Sequence, residues 1–368
     1  MITSHFGAEL VPPEIKSSQP FSLINFSGGW APVLFFFVTG LGYGINSNKP
    51  IKSRYWFDVF AKALTLFFVE RVAYIKSGSF IGIDFLSFIG IIIVLLSIFR
   101  AHRVNHLFIL LLILILVVFR YFIGPLVSDP NTSMLVGWLI GTSHMKGFSY
   151  PFSPWLIYPF IGYMIGKALS DKSIDLKKYA NDHKQSTFII FTFLVGLILL
   201  NGWLRGYVFF RWGTVSFDYF LLSLLVIISF VYLSTILSRG YYPYCSIMGL
   251  SSLLVVPIHY YLIDTRLFEV DSNQFMAFFT LGLLVFISIV VAKNVSNFIS
   301  GLNNNRIFAR CIFLFVLITF AVYISAFEQS FIISRTLLLV LQLGICSFFV
   351  IGFDWILPAS KQDVSGSI

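Results

Sequence analysis

The chain has 368 residues, 58% hydrophobic and 11% charged, with a mean hydropathy of +0.88, whereas soluble domains carry about 25% charged residues. That excludes a water-soluble globule and leaves a polytopic membrane protein. The formal charge of +9 fits the Lys/Arg excess of cytoplasmic membrane loops, so no nucleic-acid partner is expected.

Met1 to Phe6 reads as the end of an apolar helix, and Gly7 to Ser27, with Pro12, Pro13, Glu9, Glu14 and Lys16, reads as a loop. No basic stretch followed by an apolar one marks a signal peptide. Hydropathy then outlines eleven spans: 30–46, 57–75, 80–99, 105–126, 151–169, 187–204, 217–238, 246–263, 275–292, 309–326 and 334–355. Most reach the roughly 17 to 25 residues that a helix needs to cross about 30 Å of hydrocarbon. Only helices or closed barrels satisfy the backbone in lipid, so the expected fold is all-α, about 11 transmembrane helices following a truncated first one. No repeat or linker interrupts the pattern, so residues 1–368 read as a single transmembrane domain.

Alternating the spans puts 15 Lys and Arg on one side, including Lys49, Arg100, Lys167, Lys172, Lys177, Lys178 and Lys184, against 8 on the other. The richer side is cytoplasmic by the positive-inside rule. The C-terminus then faces the cytoplasm, and the loop before Trp30 and the loop at 141–150 face outward. Cys245, Cys311 and Cys346 lie in or beside apolar segments without metal-ligand or CxxC spacing; they read as packing residues, and no metal site is expected.

Charge inside a span is costly and tends to mark a pathway or site. On this topology Glu70, Arg71, Asp84, Arg120, Asp218 and His259 all lie toward the outer helix ends, level with His5 and His144. The outer half is therefore where chemistry is expected. Each residue also has a plainer reading. Glu70 and Arg71 can snorkel to water, Asp84 can cap its helix, Arg120 can pair with a carboxylate, and His259 can be a hydrogen-bonded core residue. Tyr150, Trp155 and Tyr158 can form an interfacial aromatic belt. His102, His106 and His183 fall at cytoplasmic loops and read as solvated.

The stretch from Gly141 to Lys167 joins the loop holding His144 and Lys146 to a Pro/aromatic re-entry at Tyr150, Pro151, Pro154 and Trp155. A helix with Gly162 and Gly166 follows. With Phe26-Ser-Gly-Gly-Trp-Ala-Pro…Thr39-Gly-Leu-Gly-Tyr-Gly44, Lys62-Ala-Leu-Thr-Leu-Phe-Phe, Ile83-Asp-Phe-Leu-Ser-Phe-Ile-Gly90 and Gly249-Leu-Ser-Ser-Leu-Leu-Val-Val-Pro-Ile-His259, this order resembles the polytopic membrane acyltransferases. That group takes in the acyltransferase-3 family and the heparan-α-glucosaminide N-acetyltransferase-like proteins. The resemblance covers 1–265. Its first-helix motif, an Arg followed after ten residues by a His, places the His at His5 and the Arg seven residues before Met1. The Arg is thus absent, and a start upstream of Met1 is expected.

The resemblance implies transfer of an acyl group, commonly acetyl from acetyl-CoA or another acyl-CoA, to a hydroxyl or amine of a cell-surface or lipid-linked carbohydrate. It would act in the inner membrane of a bacterium. A histidine suits removal of the acceptor's proton, with His5 first and His259 second. A developing oxyanion needs fixed donors, for which His144, Tyr150 and Arg120 are candidates. Trp155 and Asp84 complete the expected substrate contacts, and basic cytoplasmic loops would meet the CoA phosphates. The main alternative is a transporter or flippase for a lipid-linked sugar or small solute, to which a buried Arg120 and broken helices are equally suited. A glycan polymerase or ligase would carry a larger outward loop. A structural or receptor role leaves the polar residues' common depth unexplained. Oligomeric state is not legible.

Overall fold

The structure, a computed structural model, describes residues 2–19, 21–51, 53–74, 84–124, 139, 150–208, 215–236, 254–263, 265, 274–302 and 339–346. Every regular element among them is helical. Among the described residues, four helices are long and apolar enough to cross a membrane: His106–Ile123, Lys184–Arg205, Phe217–Thr235 and Phe275–Val295. The 22 residues of Lys184–Arg205 rise about 33 Å, the thickness of a hydrocarbon core. Phe188, Ile189, Phe193 and Leu199 stand exposed along it, as suits side chains that meet lipid tails. Ala31–Ile45, Phe85–Ala101 and Leu254–Ile263 are shorter apolar helices. Of the expected spans, 309–326 lies outside the described residues.

The chain divides into two compact units. The first comprises Met1–Gly28, Lys52–Phe80 and Gly240–Ile368. Its described helices are α1 (Ile2–Glu9), α2 (Pro13–Lys16), α3 (Phe21–Gly28), α4 (Tyr55–Tyr74), α5 (Leu254–Ile263) and α6 (Gln274–Leu302), with a further helical segment at 339–346. The loop expected from Gly7 to Ser27 is instead mostly folded into α2 and α3. Pro13 opens α2, where its missing N–H would have had no helical partner. Val11, Ile15 and Phe21 are spaced to turn inward, and they join Phe6, Ile263, Ala277, Leu281 and Leu284 in one buried cluster. Phe21 bridges Phe6 and Phe278, at ring distances of 6.3 and 5.5 Å. This cluster holds α1 against α5 and α6. Glu70, expected to snorkel, is buried.

The second unit comprises Gly29–Ile51 and Ile81–Arg239. Its described helices are α7 (Ala31–Ile45), α8 (Phe85–Ala101), α9 (His106–Val118), α10 (Phe152–Trp155), α11 (Ile157–Lys172), α12 (Leu176–Asp182), α13 (Lys184–Arg205) and α14 (Phe217–Ile236). A π turn at Phe119–Ile123 extends α9. Helices α7 and α11 meet backbone to backbone through two matched Gly-xxx-Gly pairs. A Cβ on Gly40 would fall 2.7 Å from the Pro159 carbonyl carbon, and one on Gly44 would fall 2.7 Å from Lys167 N. In return, a Cβ on Gly162 would fall 2.9 Å from Leu41 N, and one on Gly166 would fall 2.8 Å from Ile45 N. Small residues allow such contact where lipid offers helices no hydrophobic drive to associate.

Residues that charge counting places on the cytoplasmic side meet at one end of this unit. Asn48 donates to Asp171 Oδ1 (2.9 Å), His106 Nε2 lies 3.4 Å from Asp171 Oδ2, and Arg100 donates to the Lys49 carbonyl (3.1 Å). Lys167 donates to the Val104 carbonyl. Tyr219, near the start of α14, donates to the Gly29 carbonyl just before α7 (2.7 Å), and Asn201 donates to the buried Asp218 carboxylate.

Candidate active site

In the first unit, helical spacing puts His5 and Glu9 on one face of α1, four residues apart, while Phe6 turns into the core. Core packing brings that face to α5, where His259 and Tyr260 follow one another. The Tyr260 hydroxyl and His5 Nε2 are 2.8 Å apart. Glu9 Oε1 lies 3.7 Å from His5 Nδ1, ion-pair range. That separation is beyond hydrogen-bond distance, so Glu9 does not set the tautomer: with the hydrogen on Nδ1, Nε2 accepts from the Tyr260 hydroxyl, and with the hydrogen on Nε2, that nitrogen donates to the Tyr260 oxygen. The arrangement is carboxylate, imidazole and hydroxyl in series, the order in which a base is oriented from behind and loaded in front.

His259 stands beside this series, its ring 5.6 Å from that of His5 and 4.5 Å from that of Tyr260. It is fully buried. Its Nδ1 lies 2.8 Å from the Val255 carbonyl, which can only accept, so Nδ1 is the protonated nitrogen and Nε2 keeps a lone pair. Among the described residues, that Nε2 has no hydrogen-bond partner. Leaving such an atom unmet inside a protein costs about 1–3 kcal/mol. His5 and Glu9, by contrast, are about one-third and two-fifths exposed, so the series opens outward from a buried floor.

The structure therefore brings His5 and His259 together and adds two residues that sequence reasoning passed over. Glu9 carried a readable signal, since it lies four residues from His5 on a helix. Tyr260 carried little, because it is one of two adjacent tyrosines after His259 and only the packing of α1 on α5 selects it.

His144 lies outside the described residues. Asp84, Arg120, Tyr150 and Trp155 belong to the second unit. Asp84 occupies the N-cap position of α8, but its side chain makes no capping bond. Arg120 sits in the π turn, its guanidinium carbon 6.0 Å from the centre of the Tyr121 ring; π turns recur at functional sites. Tyr150, Trp155 and Tyr158 do not form an interfacial belt: all three are buried. Trp155 packs edge-on against Phe36 at 5.8 Å and Tyr150 at 5.0 Å. Six-membered rings at this spacing stabilise a core by about 0.5–1.5 kcal/mol per pair beyond area burial. Among the described residues, no group of three or more His, Cys, Asp or Glu is placed to hold a metal ion.

A helical protein with helices able to span a membrane, presenting a carboxylate–histidine–tyrosine series, has the parts of a group-transfer enzyme. A family model described as heparan-alpha-glucosaminide N-acetyltransferase, catalytic, matches residues 1–199, more than half of the chain, and the chain belongs to that family. The matched region contains His5 and Glu9 and stops short of His259 and Tyr260. No curated protein and no solved structure matches significantly.

Proposed function

We propose that the chain, read as one acyltransferase domain over 1–368, transfers an acetyl group from acetyl-CoA to a hydroxyl or amine of a cell-surface or lipid-linked carbohydrate. Acetyl-CoA is the general donor of the family, and the family's description supplies the carbohydrate acceptor. The observation that carries the reading to particular atoms is the His5 ring, with the Glu9 carboxylate 3.7 Å away on one side and the Tyr260 hydroxyl at 2.8 Å on the other.

In the reaction, the acceptor's oxygen or nitrogen attacks the thioester carbonyl while its proton passes to His5. The tetrahedral intermediate then collapses, the carbon–sulfur bond breaks, and the CoA thiolate leaves with the proton returned from His5. General base catalysis of this kind contributes about 10²–10⁴-fold. His259, with its open Nε2, is the second candidate for the base. Arg120, Asp84, Tyr150, Trp155 and His144 remain proposed contacts for the substrates.

The enzyme is placed in the inner membrane of a bacterium with its C-terminus in the cytoplasm. The Lys/Arg asymmetry supports that orientation, and the same cytoplasmic cations suit the CoA phosphates. The test is transfer from isotopically labelled acetyl-CoA to a glucosamine-terminated oligosaccharide in membranes containing the protein. Labelled oligosaccharide above that of membranes lacking the protein is expected. Its absence from correctly inserted protein would overturn the reading in favour of transport.

A further inference from the structure

Helices α13 and α14 pack side by side in the second unit. At the end where α13 stops and α14 begins, Asn201 ties them by donating to the Asp218 carboxylate. At the opposite end they leave a groove of about 740 Å³. Helical spacing builds its walls: Lys184, Thr187, Phe188 and Phe191 share one face of α13, and Ile228 and Tyr232 share one face of α14. From Lys184 to Phe191 the groove follows α13 for about 10 Å, against about 15 Å for one leaflet's half of the hydrocarbon core. It lies at the end of the unit that charge counting places on the cytoplasmic side.

The depth of the groove decides what class of molecule can fill it. A peptide laid along its apolar walls would carry backbone N–H and C=O groups into hydrocarbon without partners. A lipid chain carries none. Charge at the mouth then selects the headgroup. Lys184 opens the groove, and the Tyr232 hydroxyl donates to the Ala180 carbonyl (3.2 Å), which holds α12 with its exposed Lys177 and Lys178 against the same end of α14. Among the described residues, none of these three ammonium groups pairs with a carboxylate. The acidic groups beside them are Asp175, which accepts from the Lys178 N–H as the cap of α12 (2.7 Å), and Asp182. We propose that this groove is a binding site for an anionic phospholipid of the cytoplasmic leaflet, its acyl chain between Phe188, Phe191 and Ile228 and its phosphate on Lys184. A zwitterionic lipid would fit the same walls, but its own amine offsets the charge that Lys184 reads.

The experiment is native mass spectrometry of the whole protein released from detergent, titrated with dioleoyl phosphatidylglycerol or dioleoyl phosphatidylethanolamine, to give the Kd of the first lipid bound. One lysine near a membrane surface corresponds to about a fivefold change in affinity for an anionic lipid. Wild type should therefore hold phosphatidylglycerol at least about fivefold more tightly than phosphatidylethanolamine, and Lys184→Gln should bring the two together by weakening phosphatidylglycerol alone. Lys49→Gln, on the same side of the membrane but outside the groove, should match wild type. Ile228→Trp, which fills the groove, should weaken both lipids about 10-fold. Lys184→Gln changes an exposed side chain, and it carries the test if Ile228→Trp does not fold. Equal affinity for the two lipids in wild type overturns the proposal, as does a preference that survives Lys184→Gln. A loss as large in Lys49→Gln would mean general surface charge, and unchanged binding in Ile228→Trp would mean a lipid seated elsewhere; either overturns it. A polyprenyl phosphate that displaces phosphatidylglycerol at lower concentration than free phosphatidylglycerol does would overturn it in favour of a carrier lipid.

Discussion

The seam between α7 and α11 makes a sharp prediction, because the same chemical change should have opposite effects at different glycines. Replacing Gly162 with Ala builds a methyl group 2.9 Å from Leu41 N and 3.0 Å from the Phe37 carbonyl carbon, with the Phe37 carbonyl oxygen nearer still. Ordinary contact for such a carbon begins at about 3.4 Å, and the obstructing atoms are backbone, which has no rotamer to change. The helices must part by several tenths of an ångström or more along a contact that also includes Gly40, Gly44 and Gly166. Overpacking of this kind costs about 1–3 kcal/mol. Gly42 and Gly196 lie on helices too, but a Cβ there meets nothing within 4 Å, so Ala should gain the roughly 0.4–1 kcal/mol of reduced chain entropy. Gly40→Ala with Gly162→Ala should cost less than the sum of the two, since either one opens the seam for the other. Thermal unfolding in detergent, followed by loss of the monodisperse peak, ranks the variants. Gly162→Ala as stable as Gly42→Ala, or a fully additive double variant, would refute the backbone contact.

Further outcomes follow from single bonds. Tyr219→Phe removes the hydroxyl that donates to the Gly29 carbonyl at 2.7 Å and should lower stability by about 1–2 kcal/mol; an unchanged melting temperature would mean that water replaces it freely. Asn201→Leu takes a donor from the buried Asp218 carboxylate and should cost about 1–3 kcal/mol. Restoring stability with Asp218→Asn in that background would tie the loss to the carboxylate, and no restoration would count against it. Glu9→Gln keeps the shape of the side chain beside His5 Nδ1 but removes its charge. It should slow acetyl transfer without altering insertion, and wild-type rates would remove Glu9 from the site.

How much of this was legible depends on whether the signal was local. Apolar runs such as those near 187–204 and 217–238 mark helices directly, because lipid leaves the backbone no alternative. The Gly-xxx-Gly spacing at Gly162 and Gly166 is likewise visible in sequence, though its partners Gly40 and Gly44 emerge only from packing. The N-terminal segment misled for a physical reason: two prolines and several charges imitate a loop, while Ile15 and Phe21 on short helices, and Val11 in the bend before them, bury side chains that hydropathy windows average away. Tyr150 and Trp155 misled in the opposite sense, since aromatic residues beside a span fit a lipid interface and a buried aromatic cluster equally well. His5 drew attention through resemblance, and His259 through its place in a span. Their proximity, and the choice of Tyr260 over Tyr261, depends on contacts between residues more than 250 positions apart, which no local pattern encodes.

The most direct test of the central claim is the rate of acetyl transfer from labelled acetyl-CoA to a glucosamine-terminated oligosaccharide, in membranes carrying equal amounts of wild type and His5→Ala. The account predicts transfer by wild type and a rate lower by about 10²–10⁴-fold in the variant, with membrane insertion unchanged. Equal rates in the two would contradict the assignment of His5 as the base.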